Sequence, residues 1–159
     1  MTEQPIGQLE RDGDAYAVLM VREYEVPIAR VWDALTEPTL LLEWLGSVEI
    51  EAHVGGSFLI DFDGEDHAGG AILCFEPPQL LEFEWGETGV QSRVRFELSE
   101  TGSGTRLRLT HARQTESSAR NTGPGWHAHL DVFEGALLGS EVKWEDAYAA
   151  ARPRYEVNG

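Results

Sequence analysis

Apolar and polar residues alternate along four short segments of the chain, and together with an apolar fifth segment at 68–75 this period of two predicts an antiparallel sheet. An earlier segment rich in Val, Tyr and Leu, residues 16–26, adds a first strand. Because each alternating segment has one apolar side and one polar side, we expect one sheet face to cover a core and the other to meet water. Asp63 and Gly64 favour a hairpin turn between the first two segments. The five segments are 57–62, 68–75, 80–85, 90–98 and 106–110.

Helical spacing of apolar residues follows the first strand. Pro27 and Pro38 suit the first turns of two short helices, because a proline there removes no helical hydrogen bond. Thr36 is a capping residue for the second helix, and Gly46 is a residue that ends one. The sequence therefore predicts two small helices before the alternating segments begin.

A longer helix is predicted from Pro124 onward. Its apolar residues recur at steps of four, three and four, which places them on one face. Gly139 favours an end to this helix or a bend within it, and a last helix is expected to run until Pro153. The residues of the apolar face are Trp126, Leu130, Phe133 and Leu137.

These elements combine into an α+β fold. We expect a curved antiparallel sheet of about six to seven strands around a long C-terminal helix, with two short helices after the first strand. A chain of 159 residues buries enough apolar surface for one domain without disulfides. The predicted division is a flexible N-terminus at 1–13, a single domain at 14–152 and a C-terminal tail at 153–159.

Composition narrows the possible partners. The formal net charge is −16, from 28 acidic and 12 basic residues, and such a charge repels nucleic acid and anionic membrane surfaces. The apolar stretches are far shorter than the roughly 20 residues that span a bilayer, and the polar start does not resemble a signal peptide. We therefore expect a cytoplasmic protein that binds neither nucleic acid nor membrane. The single cysteine, Cys74, is interpreted as a core residue.

The inward positions of the sheet and the long helix form the candidate ligand site. Aromatic and aliphatic walls with a few polar groups are typical of small-molecule pockets, but the same residues can also fill a solid core. The sequence does not decide between these alternatives. The predicted lining residues are Phe58, Ile60, Phe62, Phe83, Trp85, Val94, Phe96, Leu109, His111, Trp126, Leu130 and Phe133.

His111 is a weak candidate for catalysis. It continues the inward alternation of its strand, where an imidazole can orient a ligand or move a proton near neutral pH. The alternative is a core histidine satisfied by its neighbours. His127 and His129 are two apart on a helix, so they point in different directions and are interpreted as helix-surface or pocket-rim residues rather than a metal pair. No metal is expected, because a single cysteine cannot form a Cys-rich site and these two histidines cannot bind one ion. No cofactor is expected, because no phosphate loop or dinucleotide fingerprint occurs.

The order of elements resembles the helix-grip arrangement of the START-like superfamily, also called SRPBCC. Within it, the chain resembles proteins related to the C-terminal domain of the activator of Hsp90 ATPase. The landmarks of this resemblance extend over residues 16–138. They are Val26-Pro27, Val31-Trp32, Leu35-Thr36, Glu37-Pro38, Trp44-Leu45-Gly46, Val54-Gly55-Gly56-Ser57-Phe58, Phe75-Glu76-Pro77-Pro78, Phe83-Glu84-Trp85, Gly104-Thr105-Arg106-Leu107 and Gly125-Trp126.

The resemblance implies three functions. The first is binding of a small apolar molecule between the sheet and the C-terminal helix, with no catalysis. The second is an interaction that activates an Hsp90-type chaperone or serves a stress response. The third is a cyclase or dehydratase activity, with His111 as the weak catalytic candidate. We expect a monomer or a homodimer.

Overall fold

The computed structural model describes residues 6–62, 67–87 and 90–156. The predicted Asp63-Gly64 turn lies outside these residues. The strands are β1 (Gln8–Asp12), β2 (Ala15–Tyr24), β3 (Ser47–Ile50), β4 (Ser57–Asp61), β5 (His67–Glu76), β6 (Leu80–Glu87), β7 (Val90–Glu100) and β8 (Thr105–Gln114). The helices are α1 (Ile28–Thr36), α2 (Pro38–Leu41), α3 (Glu116–Leu138) and α4 (Trp144–Glu156).

The described strands form one antiparallel sheet in the order β1-β2-β8-β7-β6-β5-β4-β3. Strands β3 to β8 are neighbours in sequence and in space, and β2 joins them by pairing with β8. The predicted α+β fold with a long C-terminal helix is therefore confirmed. The sheet has eight strands rather than six to seven, because β1 and β3 also form. Strand β1 lies within the segment 1–13, where the sequence predicted no element.

The core lies between the inner face of the sheet and α3. In β8, Leu107, Leu109 and His111 are buried, while Arg106 and Arg108 point to solvent. This alternation follows from the two-residue period of a strand. Helix α1 contributes buried Val31, Trp32 and Leu35 from the segment that follows Pro27. The apolar residues of sheet and helices form one continuous cluster.

Helix α3 begins earlier than the sequence predicted. It starts at Glu116, and its first turn is capped by Thr115, whose side chain accepts a hydrogen bond from the Ser118 N–H at 3.1 Å. Pro124 therefore lies inside the helix rather than at its start. The predicted end is confirmed, because Gly139 caps the helix in the left-handed conformation with φ of 76°.

Helix α4 continues past Pro153 to Glu156 and packs beside α3. None of the described helices is long and apolar enough to cross a membrane.

Candidate functional site

The twelve predicted lining residues lie together in the core. All except Phe62 are buried, and Phe62 packs against the same cluster. Their rings contact one another: Phe58 stacks on Phe83 with centroids 4.0 Å apart, and Trp85 and Trp126 meet at 5.2 Å. The sheet and α3 thus bring these twelve residues, mostly aromatic and named the aromatic cluster, into contact, as their spacing in the sequence predicted. None of the twelve residues lines the groove that lies between β1, β2, α3 and α4.

A chain of buried hydrogen bonds runs through the aromatic cluster at His111. The Trp126 indole N–H donates to His111 Nδ1 at 2.9 Å, and His111 Nε2 lies 2.7 Å from Ser92 Oγ. Ser92 Oγ donates in turn to the Trp85 carbonyl at 3.0 Å. Because an indole N–H can only donate, Nδ1 of His111 carries no proton. The proton of the neutral ring therefore lies on Nε2 and is donated to Ser92.

Burial lowers the pKa of His111 from 6.5 to about 3, so the ring is neutral at physiological pH. Both ring nitrogens are already bonded to protein groups. Ser92 is a hydrogen-bond acceptor for this histidine, which is the opposite of the proton flow that activates a serine nucleophile. A substrate that exchanges a proton with His111 must first displace Ser92 or Trp126.

The two histidines of α3, His127 and His129, are more enclosed than the sequence predicted. His127 is only 2% exposed, and its Nδ1 lies 2.9 Å from the Tyr155 hydroxyl of α4. His129 Nδ1 lies 3.1 Å from the Trp44 carbonyl, and burial lowers its pKa to about 4. The prediction that His127 is a helix-surface or rim residue is therefore wrong, because α4 covers it. In the described ranges, no three His, Cys, Asp or Glu side chains are grouped to hold a metal ion.

A groove of about 790 Å³ lies at one end of the sheet, where β1 and β2 meet α3 and α4. Its wall combines apolar side chains with two tyrosines and two arginines. One side is held in place by Tyr155, whose hydroxyl accepts a hydrogen bond from the Gly7 N–H at 2.7 Å. The lining residues are Ile6, Gly7, Gln8, Leu9, Val18, Ala119, Arg120, Asn121, Gly123, Pro124, Tyr148, Arg152 and Tyr155.

This groove was not predicted from the sequence, because its residues come from two segments far apart in the chain. Gly7 and Tyr155 are 148 positions apart, and no local pattern relates them.

Arg22 was also not predicted as a buried residue. It lies fully buried on the inner face of β2, and its Nη1 donates to Asp131 Oδ1 at 2.9 Å. A signal was present, since Arg22 occupies an inward position in the alternation of Val18, Met20 and Tyr24.

An eight-stranded antiparallel sheet packed against a long C-terminal helix, with short helices after the second strand, defines a helix-grip protein of the START-like class. The chain belongs to the family described as activator of Hsp90 ATPase homolog 1-like protein, whose model matches residues 25–137. The predicted family is thereby confirmed. No functionally curated protein matches the sequence significantly.

Solved structures support the same fold over nearly the whole chain. CalU16 from Micromonospora echinospora is 29% identical, covers 95% of each chain and superposes with a TM-score of 0.79. The protein encoded by gene BPP1335 from Bordetella parapertussis is 31% identical, with a TM-score of 0.73 over 98% of this chain and 92% of its own. DynU16, described as a putative protein in the dynemicin biosynthetic locus, is 23% identical and shares the fold, with a TM-score of 0.70. The match to DynU16 covers 76% of this chain and 46% of that one.

Proposed function

We propose that this protein binds a small, largely apolar molecule between its sheet and its C-terminal helices, without chemical turnover. The observation that supports the proposal is the groove at the β1–β2 end of the sheet. Its volume of about 790 Å³ falls within the range of about 300 to 1,000 Å³ that is typical of small-molecule sites. Membership of the START-like class agrees with such a role.

The chemistry of the groove favours an amphiphilic guest. Ile6, Leu9, Val18 and Pro124 offer apolar surface, and Tyr148 offers an aromatic ring with a polar end. This combination covers the body of an apolar molecule while leaving hydrogen-bonding groups at its margin. The aromatic cluster around Trp126, which the sequence predicted as the ligand site, is the alternative location to the groove.

Binding of a neutral fluorescent probe, N-phenylnaphthylamine, tests the proposal. Asn121→Trp fills the groove from an exposed position on α3, and we expect it to abolish the increase in probe fluorescence. Ser117→Trp is the matched control, because Ser117 is also exposed on α3 but does not line the groove. The control is expected to bind the probe like the wild type.

Two other outcomes are informative. If Asn121→Trp binds normally while Phe62→Trp does not, the ligand occupies the aromatic cluster rather than the groove. Absence of probe binding to the wild-type protein over the whole titration contradicts the proposal.

A second candidate function is stimulation of an Hsp90-type chaperone ATPase, which the description of the family supports. The ATPase rate of the chaperone is expected to rise on addition of this protein. An unchanged rate with this protein in excess contradicts this candidate and leaves the ligand-binding proposal in place.

A further inference from the structure

Arg22 is a buried cation with most of its hydrogen-bonding capacity unused. Its side chain is 0% exposed, and Nη1 alone is bonded, to Asp131 Oδ1 at 2.9 Å. The atoms Nε and Nη2 are buried and have no hydrogen-bond partner among the described residues. These two nitrogens lie on one edge of the planar guanidinium and present their protons in the same direction. The unused atoms therefore form a fork that suits an oxygen acceptor.

Tyr24 adds a third unused group on the same face of β2. Its hydroxyl is buried and has no partner among the described residues, and its ring packs edge-on against Phe133 with centroids 5.5 Å apart. Burial raises the pKa of Tyr24; the charge of Arg22 lowers this pKa, and the charges of Glu134 and Asp131 raise it. The Tyr24 hydroxyl is thus a neutral hydrogen-bond donor that interacts electrostatically with the Arg22 charge.

Such a group of donors is unusual in a folded core. Buried polar groups are almost always bonded, because an unmade hydrogen bond loses the hydration of the group without replacement. Three unused polar atoms on neighbouring inward residues of one strand therefore indicate a site that takes an acceptor from outside the protein.

The local charges select the kind of acceptor. The Asp131 carboxylate already balances the guanidinium, and Glu134 adds further negative charge near Tyr24. An incoming carboxylate meets no net positive charge at this site, whereas a carbonyl or hydroxyl oxygen accepts the same hydrogen bonds without repulsion.

We propose that Arg22 and Tyr24 form the polar end of the ligand site and bind a neutral oxygen, a carbonyl or a hydroxyl, carried by an otherwise apolar molecule. The inference rests on the proposed function, because it assigns the head group of the same ligand. It adds a class of compound, apolar ketones and alcohols, that the groove alone does not select.

The inner face of β2 connects the groove to this site. Val18 lines the groove, Met20 follows it and Arg22 comes next, with about 7 Å between successive inward residues. Met20 packs close to Gly7 of the groove wall, since a Cβ atom at Gly7 would lie 2.7 Å from Met20 Cε. A methionine side chain is unbranched and changes rotamer readily. Met20 is therefore the inward residue of β2 between a ligand in the groove and Arg22, and the proposal requires its side chain to move aside.

Three naphthalenes of similar shape test the inference: acetylnaphthalene, ethylnaphthalene and naphthoate. We expect the wild-type protein to bind the ketone about tenfold more tightly than the ethyl compound, the effect of one good hydrogen bond to a charged donor. Naphthoate is expected to bind no better than the ethyl compound. Isothermal titration calorimetry on the full chain measures all three affinities.

Variants assign the preference to the two residues. Tyr24→Phe and Arg22→Lys are expected to reduce the preference for the ketone several-fold while leaving the affinity for ethylnaphthalene unchanged. Lysine keeps a charge for Asp131 but lacks the Nε–Nη2 edge. Tyr16→Phe is the control, because it removes a hydroxyl from a half-buried tyrosine of the same strand that does not line the groove. Tyr24→Phe keeps the test valid if Arg22→Lys does not fold.

Each remaining result overturns the inference in a recognisable way. Equal binding of the ketone and the ethyl compound by the wild type, together with loss of stability in Tyr24→Phe, shows that the site holds only an internal water. A preference for naphthoate shows an anion site. A preference for the ketone that survives in both variants places the acceptor elsewhere, with the proposed function intact. If no naphthalene of this series binds while N-phenylnaphthylamine does, the inference fails and the proposed function stands. If neither binds, both fail.

Discussion

Replacement of Ser92 by alanine tests whether the hydrogen-bond chain at His111 is a structural element of the core. Ser92 is 5% exposed, and its hydroxyl takes part in two buried hydrogen bonds, one with His111 and one with the Trp85 carbonyl. Alanine removes both bonds and leaves the Nε2–H of His111 without an acceptor. The structure offers no simple rescue, because the other tautomer would turn an N–H toward the Trp126 indole N–H.

The expected cost follows from these losses. A typical intramolecular hydrogen bond contributes about 1 kcal/mol net, and stranding a buried donor costs about 1–3 kcal/mol. We therefore expect Ser92→Ala to lower the free energy of unfolding by roughly 2–4 kcal/mol, more than the average substitution. Ser99→Ala is the matched control, because Ser99 is an exposed residue of the same strand. The control is expected to change stability by less than about 0.5 kcal/mol.

Urea denaturation followed by tryptophan fluorescence measures both variants. Repeating Ser92→Ala in a His111→Phe background isolates the bond between the two side chains, and there we expect a cost of only about 1 kcal/mol because no histidine donor is stranded. Nitrogen-15 chemical shifts of the His111 ring report the tautomer directly. Equal costs for Ser92→Ala and Ser99→Ala, or a protonated Nδ1 in the wild type, would refute the reasoning.

Three further predictions concern acid stability and the ends of helices. Burial lowers the pKa of His111 to about 3 and that of His129 to about 4. Below pH 6.5, the ordinary pKa of histidine, these two side chains therefore bind protons in the unfolded state but not in the folded state. The free energy of unfolding is expected to fall as the pH drops from about 6.5 toward 4, by up to about 1.4 kcal/mol per pH unit for each histidine. In urea titrations, His129→Gln should make this fall less steep. An unchanged slope in the variant contradicts the prediction. Gly139→Ala should lower the free energy of unfolding by about 1 kcal/mol, because φ at this residue is positive. Gly125→Ala, inside α3 and with equal space for a methyl group, should raise it by a similar amount. A change of the same sign in both variants rules out the conformational explanation. Thr115→Ala removes the side-chain cap of α3 and should lower the thermal midpoint through a loss of about 1 kcal/mol, and an unchanged midpoint would show that the cap carries no stability.

Local patterns were sufficient for most of the fold. The two-residue period of β8 placed His111 on the inner face, and the four-three-four spacing placed Trp126 opposite it, because side-chain direction in strands and helices depends only on position along the element. Gly139 marked the end of α3 for a similar reason, since glycine adopts the left-handed conformation at little cost. The predicted start of α3 at Pro124 was wrong, because the helix begins at Glu116 with Thr115 as its cap and contains the proline in its interior.

The sequence by itself determined most of the elements, most of the inward residues and the family of this protein. The tertiary structure decided how its polar groups are paired and where its groove lies. The tautomer of His111 depends on its contacts with Trp126 and Ser92, and the groove forms where Gly7 meets Tyr155. Nε and Nη2 of Arg22 can be recognised as unused only because the structure shows that Asp131 binds Nη1 alone. Periodicity reports which side of an element a residue occupies, but hydrogen bonds and cavities depend on distances between residues far apart in the chain.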